Sequence, residues 1–82
     1  MEILFSDEFR EDYRKIKDKL TRIKVIKQIK KLEQNPEAGK PLSHTLKGYR
    51  ALRLPPYRII YRIENGRIII NCLEHREKVY KQ

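Results

Sequence analysis

The chain has 82 residues, room for one domain with a single core, because a polypeptide this short buries only about 60–65% of its unfolded surface. Hydrophobic residues make up 39% and charged residues 38%, and the apolar ones gather in periodic blocks, as a folding chain requires; no apolar run approaches the roughly 18–20 residues that span a bilayer. Twenty Lys and Arg against eleven Asp and Glu leave a formal charge of +9, which points to an anionic partner such as nucleic acid or an acidic protein segment.

Heat adaptation enriches Lys and Glu together and does not by itself produce so large an imbalance. A membrane surface is a weaker partner, since no amphipathic stretch carries a Trp anchor. The start, MEILFSDEF, lacks the basic region and small-residue cleavage site of a signal peptide, so the chain is expected in the cytoplasm. The single cysteine, Cys72, has no internal disulfide partner and lies in the apolar run IIINCL, where it reads as a small buried hydrophobe.

In chain order, EILF reads as a short strand. Ser6 follows as an N-cap, with Asp7 and Glu8 placed where negative charge suits the first helical turn. Phe9, Tyr13, Ile16 and Leu20 recur at spacings of four, three and four, which predicts one core-facing helical stripe. A second helical pattern follows Thr21, with Val25, Ile26, Ile29 and Leu32 on one side, and Asn35-Pro36 ends it. Residues 36–48, PEAGKPLSHTLKG, hold turn formers, with Leu42 and Leu46 available to tack the loop onto the core and His44 solvated.

The rest reads as strands: Tyr49 to Leu54, Tyr57 to Ile63 and Arg67 to Leu73. Asn65-Gly66 between the last two is a strong hairpin signal. A symmetric Pro55-Pro56 turn sets Leu54 opposite Tyr57, Arg53 opposite Arg58 and Leu52 opposite Ile59. The Asn-Gly turn sets Ile63 opposite Ile68, Tyr61 opposite Ile70 and Ile59 opposite Cys72.

Because side chains alternate between faces, Leu52, Leu54, Tyr57, Ile59, Tyr61, Ile63, Ile68, Ile70 and Cys72 are expected under the helices. Arg53, Arg58 and Arg62, with Tyr49, Ile60, Asn71 and Leu73, are expected on a basic, open face without a nearby acid. The like-charge pair Arg53–Arg58 costs stability, whereas two guanidiniums converging on a phosphate would give it a use. The predicted architecture is α+β: two N-terminal helices packed on a four-stranded, mainly antiparallel sheet, with the first strand added at one edge, in one domain over residues 1–82.

The order strand, helix, helix and three antiparallel strands, together with LKGYRALRL, PYRIIYRI and the closing HREKVY, resembles the RelE/ParE superfamily of toxins from type II toxin-antitoxin modules, over essentially the whole chain. RelE-like members are described as endoribonucleases that enter the ribosomal A site and cut mRNA. They are held inactive by an antitoxin, which here would be small and acidic. ParE-like members share the fold and poison DNA gyrase.

The resemblance implies that Arg58 contacts the scissile phosphate and that Arg50 and Arg53 correspond to basic residues that bind mRNA and assist proton transfer. Arg53, on the open face, is the stronger of those two, and Arg62 lies on the same face. Arg76 and Tyr80 match the late basic residue and the near-terminal tyrosine, and His75 stands where related sequences often have histidine. RelE has lysine where this chain has arginine, a poor general base. That leaves His75 as the candidate to take the proton, and Tyr80 to stack on a base or assist proton transfer. No CxxC, HExxH, P-loop or GxSxG occurs, so the expected chemistry uses no metal and no cofactor. A module that only binds RNA remains a further reading of the same basic face.

Overall fold

A computed structural model of the chain describes residues 1–76. The elements run β1 (Glu2–Phe5), α1 (Asp7–Arg14), α2 (Lys19–Lys31), β2 (Lys40–Pro41), a 3-10 turn at His44–Leu46, β3 (Tyr49–Leu54), β4 (Tyr57–Glu64) and β5 (Arg67–His75). They form one sheet in the order β1-β5-β4-β3-β2. The sheet thus has five strands rather than four, because Lys40 and Pro41 pair with Ala51 and Arg50 along the free edge of β3. Only β1, beside β5, runs parallel to its neighbour. Among the described residues no helix is long and apolar enough to cross a membrane.

Ser6 caps α1 as its sequence position suggests: its hydroxyl accepts from the Phe9 N–H at 3.0 Å and donates to the Asn71 carbonyl at 2.5 Å. Phe5, Phe9 and Tyr13 stack in a row, with centroids 5.4 and 5.8 Å apart. The helical stripe then breaks. Helix α1 stops at Arg14, and Asp18 opens α2 by accepting from the N–H and hydroxyl of Thr21. The two hydrogen bonds from Thr21, the side-chain one foremost, hold the Asp18 carboxyl below its ordinary value. Restarting the helix resets its phase, so Ile16 is buried between the helices but Leu20 turns outward, 61% exposed. Of the second stripe, Val25, Ile29 and Leu32 are buried and Ile26 half-buried.

The β3–β4 register is the expected one, with Arg53 opposite Arg58 and Leu52 opposite Ile59; Pro55 and Pro56, in its turn, are joined by a cis peptide bond. Asn65 and Gly66 both adopt positive φ, 52° and 73°, the backbone that a two-residue hairpin turn needs. The β4–β5 register departs from expectation. Tyr61 faces Ile70, but Ile60 faces Cys72 and Ile59 faces Leu73, so Asn71 is an extra residue in a β-bulge. Two groups of the α1 segment hold the bulge: the Ser6 hydroxyl on the Asn71 carbonyl, and the Asp12 carboxylate, which accepts from the Leu73 N–H at 3.1 Å.

The bulge inverts the alternation of everything after it. Leu73, expected outside, joins Phe9, Val25, Leu32, Ile59, Tyr61, Ile68 and Ile70 in the core beneath the helices. Cys72, expected inside, moves to the opposite face and packs with Ala51 and Ile60 under Leu42 and Tyr49. That face is therefore not wholly open: Ile60 is 1% exposed, and the chain after β2 is tied over it by the Leu42 N–H, which donates to the Tyr49 carbonyl at 2.9 Å.

Burial pushes the Cys72 thiol up to about 11. The unfolded thiol ionises near pH 9 and the folded one only near 11, so the folded state holds the extra proton between them and loses stability as pH rises through that window. Two pH units correspond to about 2–3 kcal/mol. Urea unfolding at pH 8, 9.5 and 11 should reveal this decline, and Cys72→Ala should flatten it below pH 10, before unfolded tyrosines titrate.

Tyr61 crosses the core and pins the β2 approach. Its hydroxyl donates to the Pro36 carbonyl and accepts from the Gly39 N–H, both at 2.8 Å, and burial raises the phenol above its ordinary value. A side chain at position 39 would come within 2.6 Å of the Tyr61 ring, so only glycine allows this approach. Tyr61→Phe strands a buried donor and is expected to cost about 1–3 kcal/mol in a urea melt.

Candidate nucleic-acid interface

On the face away from the helices, the Pro55-Pro56 turn, the ends of β3, β4 and β5, and the segment Lys40–Ser43 enclose an open groove of about 570 Å³. Arg53, Arg58 and Arg76 line it together with Lys40, Tyr57 and Glu74. Arg53 and Arg58 are brought together by the hairpin register. Arg76 arrives from the end of β5, where its N–H donates to the Pro56 carbonyl at 2.7 Å and ties the end of the strand to the turn. Three residues separated by up to 23 positions in sequence thus meet at one wall.

The face carries an acid that the sequence reading did not place there. Arg58 Nε donates to Glu74 Oε1 at 2.6 Å, with the two side chains 39% and 27% exposed. Without the bulge, Leu73 would lie opposite Arg58. With it, Glu74 stands there and Arg76 follows on the same side, while His75 turns to the helix side, opposite Tyr57. The His75 and Tyr57 rings meet edge to face at 4.9 Å. The expectation that His75 sits beside the arginines is therefore corrected by the register: one inserted residue exchanges His75 for Glu74 and Arg76.

Arg62 lies on the arginine face but outside the groove, donating to Asn71 Oδ1 at 3.3 Å, paired with Glu64 at 3.5 Å and set over the Tyr49 ring at 5.8 Å. Arg50 points to the other side, where its guanidinium donates to the Glu37 and Gly39 carbonyls at 3.2 and 2.9 Å and lies 3.9 Å from the Glu37 carboxylate. It fastens the loop ahead of β2 and stands apart from the groove. Tyr80 lies outside the described residues. Lys40 and Glu74 are the groove residues that sequence reasoning missed. The polar Asn71 inside an apolar run was the available signal for the bulge that brings Glu74 there.

Chemically, the wall offers planar, permanently charged donors at the spacing of a cross-strand pair, which suits a phosphodiester.

The sequence model of the family described as "ParE toxin of type II toxin-antitoxin system, parDE" matches residues 3–80. Among solved structures, the RelBE2 toxin-antitoxin complex from Mycobacterium tuberculosis is similar with a TM-score of 0.80 and 28% identity, over 92% of this chain and 96% of that one. The YoeB/ParE toxin from Agrobacterium tumefaciens follows at 0.79 and 21%, over 92% and 98%. The RelB-RelE complex from Methanococcus jannaschii gives 0.77 and 20%, over 95% of each chain. A comparison with curated proteins returned no match.

Proposed function

Because this chain belongs to the ParE toxin family of type II toxin-antitoxin systems, a family within the RelE/ParE superfamily, we propose that it acts as the RelE-like toxins do, as a metal-independent endoribonuclease that cuts mRNA in the ribosomal A site. The observation that carries this reading is the meeting of Arg53, Arg58 and Arg76 in one groove. Cleavage by a ribose 2′-hydroxyl requires that this hydroxyl lose its proton, that the extra negative charge on the phosphate be stabilised, and that the departing 5′-oxygen gain a proton. Arg58 and Arg53 answer the second need with fixed donors where charge develops. Arg76 binds the adjoining backbone, and Tyr80 stacks on an unpaired base.

The RelB-RelE and RelBE2 structures are complexes with an antitoxin, and a small acidic antitoxin is the partner proposed here. It would meet a surface whose charge it neutralises. Exposed Leu20 and Ile23 on α2, 61% and 44% accessible, offer apolar contacts beside lysines.

Translation in vitro with the purified protein, followed by primer extension on the message, tests the activity: discrete breaks at the A-site codon are expected only when ribosomes are present. The family match itself favours a second reading, a ParE-like inhibitor that acts by binding DNA gyrase without cutting. Inhibition of gyrase supercoiling with an intact message would establish that one and sink the first. Binding of RNA without either effect would leave the basic face as a docking surface alone.

A further inference from the structure

We infer that Glu74 is the catalytic base of this cleavage, its carboxylate taking the proton of the 2′-hydroxyl next to the phosphate that Arg58 holds. The inference rests on the ribonuclease reading and names a residue for its unassigned step. Among the described residues that line the groove, Glu74 is the one carboxylate; the other groove residues with ionisable side chains are arginines, a lysine and Tyr57, which present N–H and O–H donors. His75 is on the far side of the strand.

The geometry joins the base to the phosphate site. A guanidinium has five N–H donors in one plane. Glu74 Oε1 takes the Nε donor at 2.6 Å, which leaves the terminal nitrogens of Arg58 for phosphate oxygens. Carboxylate and phosphate are then held by one planar group, neighbours across its width, and the attacking hydroxyl is borne on the ribose attached to that phosphate. Glu74 Oε2 makes no hydrogen bond among the described residues, so the second oxygen is available to the hydroxyl.

In the step itself, the 2′-O–H proton passes to Glu74, the 2′-oxygen forms a bond to phosphorus, and the phosphorus–5′-oxygen bond breaks. The electron pair stays on the 5′-oxygen, which takes a proton from solvent. The products are a 2′,3′-cyclic phosphate and a 5′-hydroxyl, and the proton on Glu74 returns to water.

The test is single-turnover cleavage of a defined message on ribosomes at saturating toxin, comparing wild type with E74Q and E74A. An amide oxygen can still accept from Arg58 Nε, so a residue that only positions the arginine would tolerate E74Q and suffer in E74A. A base fails in both. The expected result is a fall of about 10²–10³-fold in the E74Q cleavage rate, an unchanged half-saturating concentration, and loss of the rise in rate with pH on the acid side that a carboxylate base is expected to give wild type. E74Q cleaving within threefold of wild type, or keeping that acid limb, overturns the inference while the ribonuclease reading stands. A wild-type protein that binds ribosomes and leaves the message whole overturns both. Circular dichroism checks the fold; should E74Q not fold, E74D, which retains a carboxylate, is expected to cleave at least tenfold faster than E74A, and equal rates overturn the inference.

Discussion

Arg58→Ala should lower the rate of message cleavage by at least 10²–10³-fold in single-turnover measurements, equivalent to about 3–4 kcal/mol of lost transition-state stabilisation. Two losses combine in it. The terminal nitrogens that would meet the phosphate disappear, and the Glu74 carboxylate, 27% exposed beside the missing guanidinium, is left to repel the incoming polyanion. Thermal stability should move little, since a pair this accessible to water contributes about 1 kcal/mol or less, and the Arg53–Arg58 repulsion is relieved at the same time. Arg58→Lys keeps the charge but not the planar fork and is expected to recover binding more than rate. A melting temperature within a few degrees of wild type, with cleavage lost, separates chemistry from folding. Cleavage by Arg58→Ala at more than a tenth of the wild-type rate would refute the assignment of this arginine to the phosphate.

Deletion of Asn71 should abolish the cooperative fold. Removing the extra residue restores simple alternation to β5, so every side chain after position 70 changes face. Leu73, 5% exposed, would leave the core, a loss of about 2 kcal/mol. Glu74 would turn toward the helix side without its arginine, and an unpaired carboxylate there costs several kcal/mol more. The Asp12 carboxylate would lose the Leu73 N–H and Ser6 the Asn71 carbonyl. A domain of this size has about 5–10 kcal/mol in total, so a broad, non-cooperative urea transition is expected. Asn71→Gly, which keeps the residue count and removes the side-chain contacts with Arg62 and Cys72, should fold and lose no more than about 1–2 kcal/mol. A deletion variant that melts sharply near the wild-type temperature would show that the bulge does not set the register.

The contrast between these variants marks where the sequence was readable. The β3–β4 hairpin was legible because Arg53, Arg58 and Arg62 fall on one side and Leu52, Ile59 and Tyr61 on the other, so a slip would bury charge. Asn65-Gly66 fixed the next turn for the same reason that few other pairs accept two positive φ angles. Beyond Ile70 the pattern loses its discrimination. Cys72 and Leu73 are both apolar and each face holds an apolar cluster, so hydrophobicity alone cannot say which residue goes where. The bulge is held by Asp12 and Ser6, through contacts that span 61 and 65 positions of chain and that no local window contains. The placement of Glu74, His75 and Arg76 follows from it. Leu20 was misassigned for a simpler reason: its helical spacing was counted through a helix that ends at Arg14 and restarts at Lys19. Arg58 and Arg53 stand opposite one another as expected because they precede the bulge.

Three of the four arginines between Tyr49 and Ile63 already have an acid beside them: Arg50 with Glu37, Arg58 with Glu74 and Arg62 with Glu64. Seen from beyond a Debye length, about 8–10 Å in physiological salt, each such couple is close to neutral. On the proposed reading, an approaching RNA strand would be drawn in by the remaining cations and would feel the paired guanidiniums only at contact, where a phosphate could displace or share the carboxylate. Affinity would then fall with added salt by less than a tally of the arginines suggests, because counterions are released only where net charge had gathered them.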